Sequence, residues 1–149
     1  MREPMKIVHV TDVTGALVAP DWLARAERVH RQLRPALPAE YATKMARVFT
    51  GGGRMLVAAD AEAVRGVAVW RCHENTAYGR YLYVDDLVTD ESARSQGVGK
   101  ALLDECAQLA RELECAALTL DSGTQRQRAH AFYFREGMPI TSFHFVKRL

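Results

Sequence analysis

Arg94-Ser95-Gln96-Gly97-Val98-Gly99 stands between a β-rich run, Tyr81 to Thr89, and an amphipathic run, Gly99 to Leu113. Two glycines at the mouth of a helix let a bound group approach the main chain, because neither carries a Cβ. The first helical N–H groups have no intrahelical partner and carry the positive end of the helix dipole. Such a segment is a seat for phosphate, and Arg94 adds a planar guanidinium suited to a diphosphate. Two common glycine loops fail on particular residues. A P-loop requires G-x-x-x-x-G-K-[ST]; here Gly99-Lys100 is followed by Ala101, and Arg94 takes the place of the first glycine. A dinucleotide fingerprint requires G-x-G-x-x-G/A after the first strand. Gly97-Val98-Gly99-Lys100-Ala101-Leu102 ends in Leu and lies far along the chain.

Upstream, Asp85 and Asp86 interrupt a strand of otherwise apolar or aromatic residues. A carboxylate there suits the removal of a proton from a substrate. Successive strand residues face opposite ways, so regular geometry admits one of the two to a cleft. Asp85 shares a face with Tyr81, Tyr83 and Leu87. The structural alternative is a carboxylate pair at a bulge, neutralised by Arg or Lys. His73 and Glu74, in the loop before this strand, are further candidate bases. Tyr41 and Trp22 could line the acceptor side, with core packing favoured for Trp22.

These residues carry a family resemblance. The R-x-x-G-x-G loop is approached through Leu87-Val88-Thr89-Asp90-Glu91-Ser92-Ala93-Arg94 and followed by Ala129, Phe132, Tyr133, Gly137 and Met138. This resembles the GNAT superfamily of acyl-CoA-dependent N-acyltransferases, whose later signature is A-x-x-F-Y-x-x-x-G-F. Met138 stands for the final aromatic, Arg126 for a frequent Asn, Thr89 for a usual Val and Glu91 for a frequent Pro. The resemblance implies an α/β (α+β) GNAT fold, a mixed and mostly antiparallel sheet of about seven strands with helices on both faces. It implies acetyl-CoA as co-substrate and no metal. The pyrophosphate would lie on the main chain of Ser95, Gln96, Gly97, Val98, Gly99, Lys100 and Ala101, assisted by Arg94. The pantetheine arm would pair with Leu87, Val88 and Thr89, and an N–H near Leu87 or Val88 would stabilise the thioester oxygen. Tyr133 would be the general acid. Asp85 and Asp86 resemble the acidic pair of polyamine-type N-acetyltransferases. The implied activity is acetyl transfer to a primary amine of a small molecule. A protein N-terminal or lysine acetyltransferase, or an acyl-CoA sensor without turnover, are the alternatives.

The elements needed to hold these groups are legible in periodicity. Lys6 to Val10 predicts a first strand. Trp22, Ala26, Val29 and Leu33 predict one face of a helix over Pro20 to Leu33. A second helix runs from Pro38 through Phe49, with Tyr41, Met45, Val48 and Phe49 inward, and Gly51-Gly52-Gly53 breaks the chain. Met55 to Ala59 and Val64 to Cys72 are strands joined by a turn at Asp60-Ala61-Glu62, with a loop from His73 to Arg80. Val98, Leu102, Cys106, Leu109 and Leu113 form the stripe of the next helix. Cys115 to Leu120 predicts a strand covered on both faces. A helix from Thr124 to Glu136 follows, and Ile140 to Leu149 predicts a late strand whose edge could pair with a second copy.

Composition bounds the rest. A chain of 149 residues suggests one domain over 1–149. A net charge of +2 gives no argument for nucleic acid, and Arg25, Arg28, Arg31 and Arg34 read as a solvated helix face. Cys72, Cys106 and Cys115 lack the spacing of a disulfide framework or a zinc site. No apolar run suggests a membrane span or a leader, so a cytoplasmic location is the expectation.

Overall fold

Five strands in the order β1-β2-β3-β4-β5 form the sheet in this computed structural model, which describes residues 4–149. They are β1 (Lys6–His9), β2 (Arg54–Asp60), β3 (Ala63–Asn75), β4 (Gly79–Thr89) and β5 (Ala117–Leu120). Helices α1 (Pro20–Leu33) and α2 (Tyr41–Thr50) lie between β1 and β2, α3 (Val98–Glu112) links β4 to β5, and α4 (Gln127–Arg135) follows. The first four strands pair antiparallel in sequence order. The chain divides into two compact units, the first ending at Thr119 and the second running Leu120–Leu149.

Side chains alternate across a strand, and this sorts the helices of the first unit onto opposite faces. Val67 and Val69 of β3 join Met55 and Val57 of β2 in a core with Leu23, Ala26 and Val29 of α1 and Tyr41, Met45 and Phe49 of α2. Gly66 faces the other way, toward α3. A Cβ on Gly66 would lie 2.5 Å from Val98 Cγ1 and 2.8 Å from Leu102 Cδ1, so the missing side chain is what lets α3 seat on the sheet. Val98, Leu102, Leu103, Cys106, Leu109 and Ala110 are the residues that α3 buries.

Several expectations are corrected. The inward face of α1 is Leu23, Ala26, Val29 and His30. Trp22 is half-buried, with Lys6 Nζ 5.2 Å and Arg25 Cζ 4.7 Å from its ring centroid. The ring packs against the edge of the core on one side and meets the two cations on the other. The loop over His73 to Arg80 is mostly strand. Asn75 Oδ1 accepts from the amides of Ala77 (3.1 Å) and Tyr78 (2.7 Å), and Gly79 takes φ +75°. This Asx turn closes the β3–β4 hairpin within a few residues. Every residue of β5 is only half-buried, so that strand is not covered on both faces. Residues 140–149 form no strand: Phe143 is 80% exposed and Phe145 92% exposed. Alternating residues become a strand only beside a strand that pairs with them, and none pairs with this segment. The described sheet therefore has five strands, not about seven. Cys72 and Cys115 meet, Sγ to Sγ 3.7 Å, as free thiols. Burial and the Cys72 hydrogen bond push the Cys115 thiol up to about 11.

At the end of β4 the chain is pinned to α1. The Asp90 carboxylate, 1% exposed, accepts from Arg28 Nη2 (2.9 Å), Gln32 Nε2 (3.0 Å) and Ser92 Oγ (2.9 Å). The Gln32 side-chain oxygen in turn accepts from the Glu91 amide at 3.0 Å. The hydrogen bond from Arg28 outweighs burial, and with Gln32 and Ser92 it holds the Asp90 carboxyl well below the usual carboxylate range. A carboxyl depressed in the folded state stabilises above its unfolded value, near 3.9, and that stabilisation disappears as pH falls toward the folded value. Asp90→Asn should therefore cost about 1–3 kcal/mol at neutral pH. In denaturant titrations the gap between variant and wild type should close as the pH falls below about 4.

Candidate active site

The candidate phosphate seat is built by backbone conformation. Ser95 (φ +64°) and Gly97 (φ +82°) both adopt the left-handed region, on either side of Gln96. Successive turns of this kind aim main-chain N–H groups inward as an anion-binding nest. Gly97 caps α3, and the first intrahelical bond runs from the Ala101 amide to the Gly97 carbonyl at 3.0 Å. The amides of Val98, Gly99 and Lys100 precede that bond. A Cβ on Gly97 would touch nothing within 4 Å, so glycine is required there for conformation and not for space. Arg94 is exposed at the start of the loop, while the Lys100 ammonium lies 3.3 Å from Asp104. Val98 is buried under the sheet and Ala101 is half-buried, which fixes the helix end in place.

Leu87, Val88 and Thr89 pair with Ala68, Val67 and Gly66 of β3. On the opposite edge of β4 the Ala116 amide bonds the Arg80 carbonyl at 2.7 Å. Strand β5 is the neighbour of β4 on that side.

Between α1, α2 and the sheet lies a cavity of about 660 Å³ whose lining includes Asp85 and Asp86 together. Regular alternation forbids this, and the register explains it. Val69 pairs with Asp86 and Trp70 with Val84, which leaves Asp85 as the surplus residue of a β-bulge. A bulge bends the strand and redirects side chains, so neighbouring carboxylates enter one cavity. Each is already paired. Arg71 Nε donates to Asp85 Oδ2 at 2.6 Å. Arg34 donates through Nε (2.9 Å) and Nη2 (2.6 Å) to Asp86 Oδ1. Asp86 Oδ2 takes the Nε2 of His30 at 2.6 Å. Burial pushes the Asp85 carboxyl up against the pull of Arg71. Burial also acts on Asp86, but hydrogen bonds from His30 and Arg34 outweigh it and hold that carboxyl below its ordinary value.

His30 is a participant that the sequence did not single out. It is 2% exposed, and its Nδ1 lies 2.8 Å from the Tyr41 hydroxyl. An ionised carboxylate only accepts, so His30 Nε2 donates to Asp86, and in the neutral ring Nδ1 accepts from Tyr41. Burial, with the charges of Glu27 and Asp86, raises the Tyr41 phenol well above its usual value. A histidine on the apolar side of an amphipathic helix was the available signal. The arginine row is also more than a wet face: Arg28 and Arg34 reach Asp90 and Asp86, and Arg31 bonds the carbonyls of Leu37 and Pro38. His73 and Glu74 lie at the end of β3 and do not line the cavity.

Tyr133 belongs to the second unit, on α4. It is half-buried, and burial raises its phenol against the opposing charge of Arg126. The helix stops where Gly137 takes φ +78° and the Met138 amide bonds the Tyr133 carbonyl at 2.9 Å. Among the described residues no cluster of His, Cys, Asp or Glu could hold a metal, and no helix is long and apolar enough to cross a membrane.

Comparison with known proteins bears on this geometry. An uncharacterized N-acetyltransferase of Bacillus subtilis (strain 168), YhdJ, is 43% identical over 70 residues, 46% of this chain and 49% of that protein. The chain thus matches about half the length of that curated relative. A Trypanosoma brucei acetyltransferase gives a TM-score of 0.75 at 20% identity over 98% of this chain and 100% of that one. AAC(6')-Iy, solved with a CoA-S-monomethyl-acetylneamine bisubstrate analog, gives 0.79 at 14% identity over 99% of each chain. Glucosamine-6-phosphate N-acetyltransferase of Arabidopsis thaliana gives 0.74 at 16% identity over 98% of this chain and 99% of that one. At such identities these structures share the fold alone. A family model described as the Acetyltransferase (GNAT) family matches residues 21–138, most of the chain, and the protein belongs to that family.

Proposed function

We propose that the protein is an N-acetyltransferase that moves the acetyl group of acetyl-CoA to a primary amine of a small molecule. The observation that carries this reading is the continuity of β4. In chain order come two carboxylates of a cavity, then the main chain of Leu87, Val88 and Thr89 at the end of the same strand, then the loop of Arg94, Ser95, Gln96 and Gly97 leading into Val98, Gly99, Lys100 and Ala101. A diphosphate fits the nest and the exposed Arg94, and a pantetheine arm would lie along Leu87, Val88 and Thr89 as an added strand.

In this reading the amine nitrogen attacks the thioester carbonyl, and a β4 amide near Leu87 or Val88 meets the charge that develops on oxygen. The C–S bond breaks, the thiolate takes the phenolic proton of Tyr133, and the nitrogen gives up the extra proton it carries after attack, which restores the phenol. A primary alkylamine at neutral pH is mostly ammonium, so its proton must first leave. Asp85 suits that step better than Asp86. Among the described residues its Oδ1 carries no hydrogen bond, whereas both oxygens of Asp86 are occupied. Burial also raises the Asp85 carboxyl, toward the range that serves a general base. Asp86 then positions His30 and Arg34.

Three outcomes test this. With a panel of amines and a free-thiol assay, Tyr133→Phe should lower kcat about a hundredfold and leave CoA affinity unchanged. A sensor without turnover would release no thiol in either form. Asp85→Asn should lower kcat/KM by a similar factor, and the loss should shrink as pH rises toward the pKa of the amine, where the neutral amine exists without a base. Gly97→Ala places a side chain in the left-handed region at about 1–2 kcal/mol. Tm should fall by a few degrees, and calorimetry should show CoA binding weakened by up to about tenfold, as the free loop relaxes out of this conformation.

A further inference from the structure

The charges lining the cavity do not match a polycationic acceptor. Arg34, Lys44 and Arg71 face Asp85 and Asp86 there. These three cations exceed the two carboxylates by one. Both carboxylates are engaged by guanidinium groups of the same cavity, so the acidic pair presents little net negative charge. The cations are less fully used. Arg34 Nη1 and Arg71 Nη2 carry no hydrogen bond among the described residues, and the half-buried Lys44 ammonium has no ion pair.

We infer that the acceptor is a small amine that also carries an oxyanion, a carboxylate or a phosphate, which lies against Lys44 while the amine faces Asp85. This rests on the reading of the cavity as the acceptor site. The two polar ends have different addresses: Lys44 stands on α2, and Asp85 stands on the bulge of β4. A cleft with an excess of one sign of charge concentrates ligands of the other sign and repels its own. The same excess favours catalysis, because nearby cations destabilise an ammonium and lower its pKa. A substrate with a second ammonium in place of the oxyanion would meet Lys44 and both arginines with like charge.

The test uses straight-chain primary amines of matched length. Each carries a carboxylate, phosphate, carboxamide or second ammonium at the far end of a spacer of roughly two to six methylenes. Thiol release from acetyl-CoA reads turnover, and calorimetric titration into the CoA-saturated protein reads binding alone. At the best spacer length the oxyanion members should exceed the ammonium member by at least about tenfold in kcat/KM and in affinity, less so at high salt. Lys44→Gln should bring that ratio toward unity, and Lys44→Arg should retain it. Carboxylate against phosphate within the series identifies which oxyanion is preferred. Tighter binding or faster turnover of the ammonium members would overturn the inference, as would a preference unchanged in Lys44→Gln or no heat with any member. Binding of oxyanion members without thiol release would support the inference and instead count against the proposed transfer reaction.

Discussion

One surplus residue in β4 sets the layout of the cleft. At Asp85 the ladder with β3 skips a partner, the strand bends, and two consecutive carboxylates enter the same cavity. Adjacent carboxylates in a partly buried space repel each other and raise each other's pKa. Separate partners offset that penalty: Arg71 from the neighbouring strand for Asp85, and, for Asp86, Arg34 just past the end of α1 together with the hydrogen bond from His30. The pairs differ in kind. Asp86 is saturated and held ionised, whereas Asp85 keeps one oxygen open and is pushed toward its protonated form. Two identical side chains thereby acquire different chemistry from their surroundings alone.

Helix α1 is the strut that relates this cleft to the phosphate loop. Its apolar side anchors it in the core through Leu23, Ala26 and Val29. From the same fourteen residues, Arg28 and Gln32 grip Asp90 at the loop entrance while His30 grips Asp86, joined there by Arg34 at the helix end. On the opposite face of the sheet, α3 is seated against Gly66 and begins at Gly97. The loop is therefore held at its entrance by buried hydrogen bonds and at its exit by close packing. Its own turns then require only Gly97 and a left-handed Ser95.

The residues that were legible from sequence share one property: their signal is local. The glycine loop, the apolar stripe of α3 and the breaks at Gly51 and Gly137 depend on neighbours within a turn or two, and the family signature rests on such segments. The misreadings share the opposite property. On α1, Ala26 and Val29 are inward as expected, but Leu23 and His30 join them instead of Trp22 and Leu33: Trp22 lies beside two cations and His30 meets Asp86, 56 residues away in sequence. Residues 140–149 alternate as a strand should, but alternation without a partnering edge leaves Phe143 and Phe145 in solvent.

Sequence alone marked the glycine loop between a strand and a helix, since backbone conformation and glycine placement are properties of consecutive residues. It also marked the acidic pair as exceptional, because charge inside an apolar strand requires compensation. The sign of the cleft belonged to the tertiary structure. Whether Asp85 and Asp86 act as negative charges depends on which guanidinium groups reach them. Arg34 and Arg71 reach them across gaps of 52 and 14 residues, through a bulge that no local pattern announces.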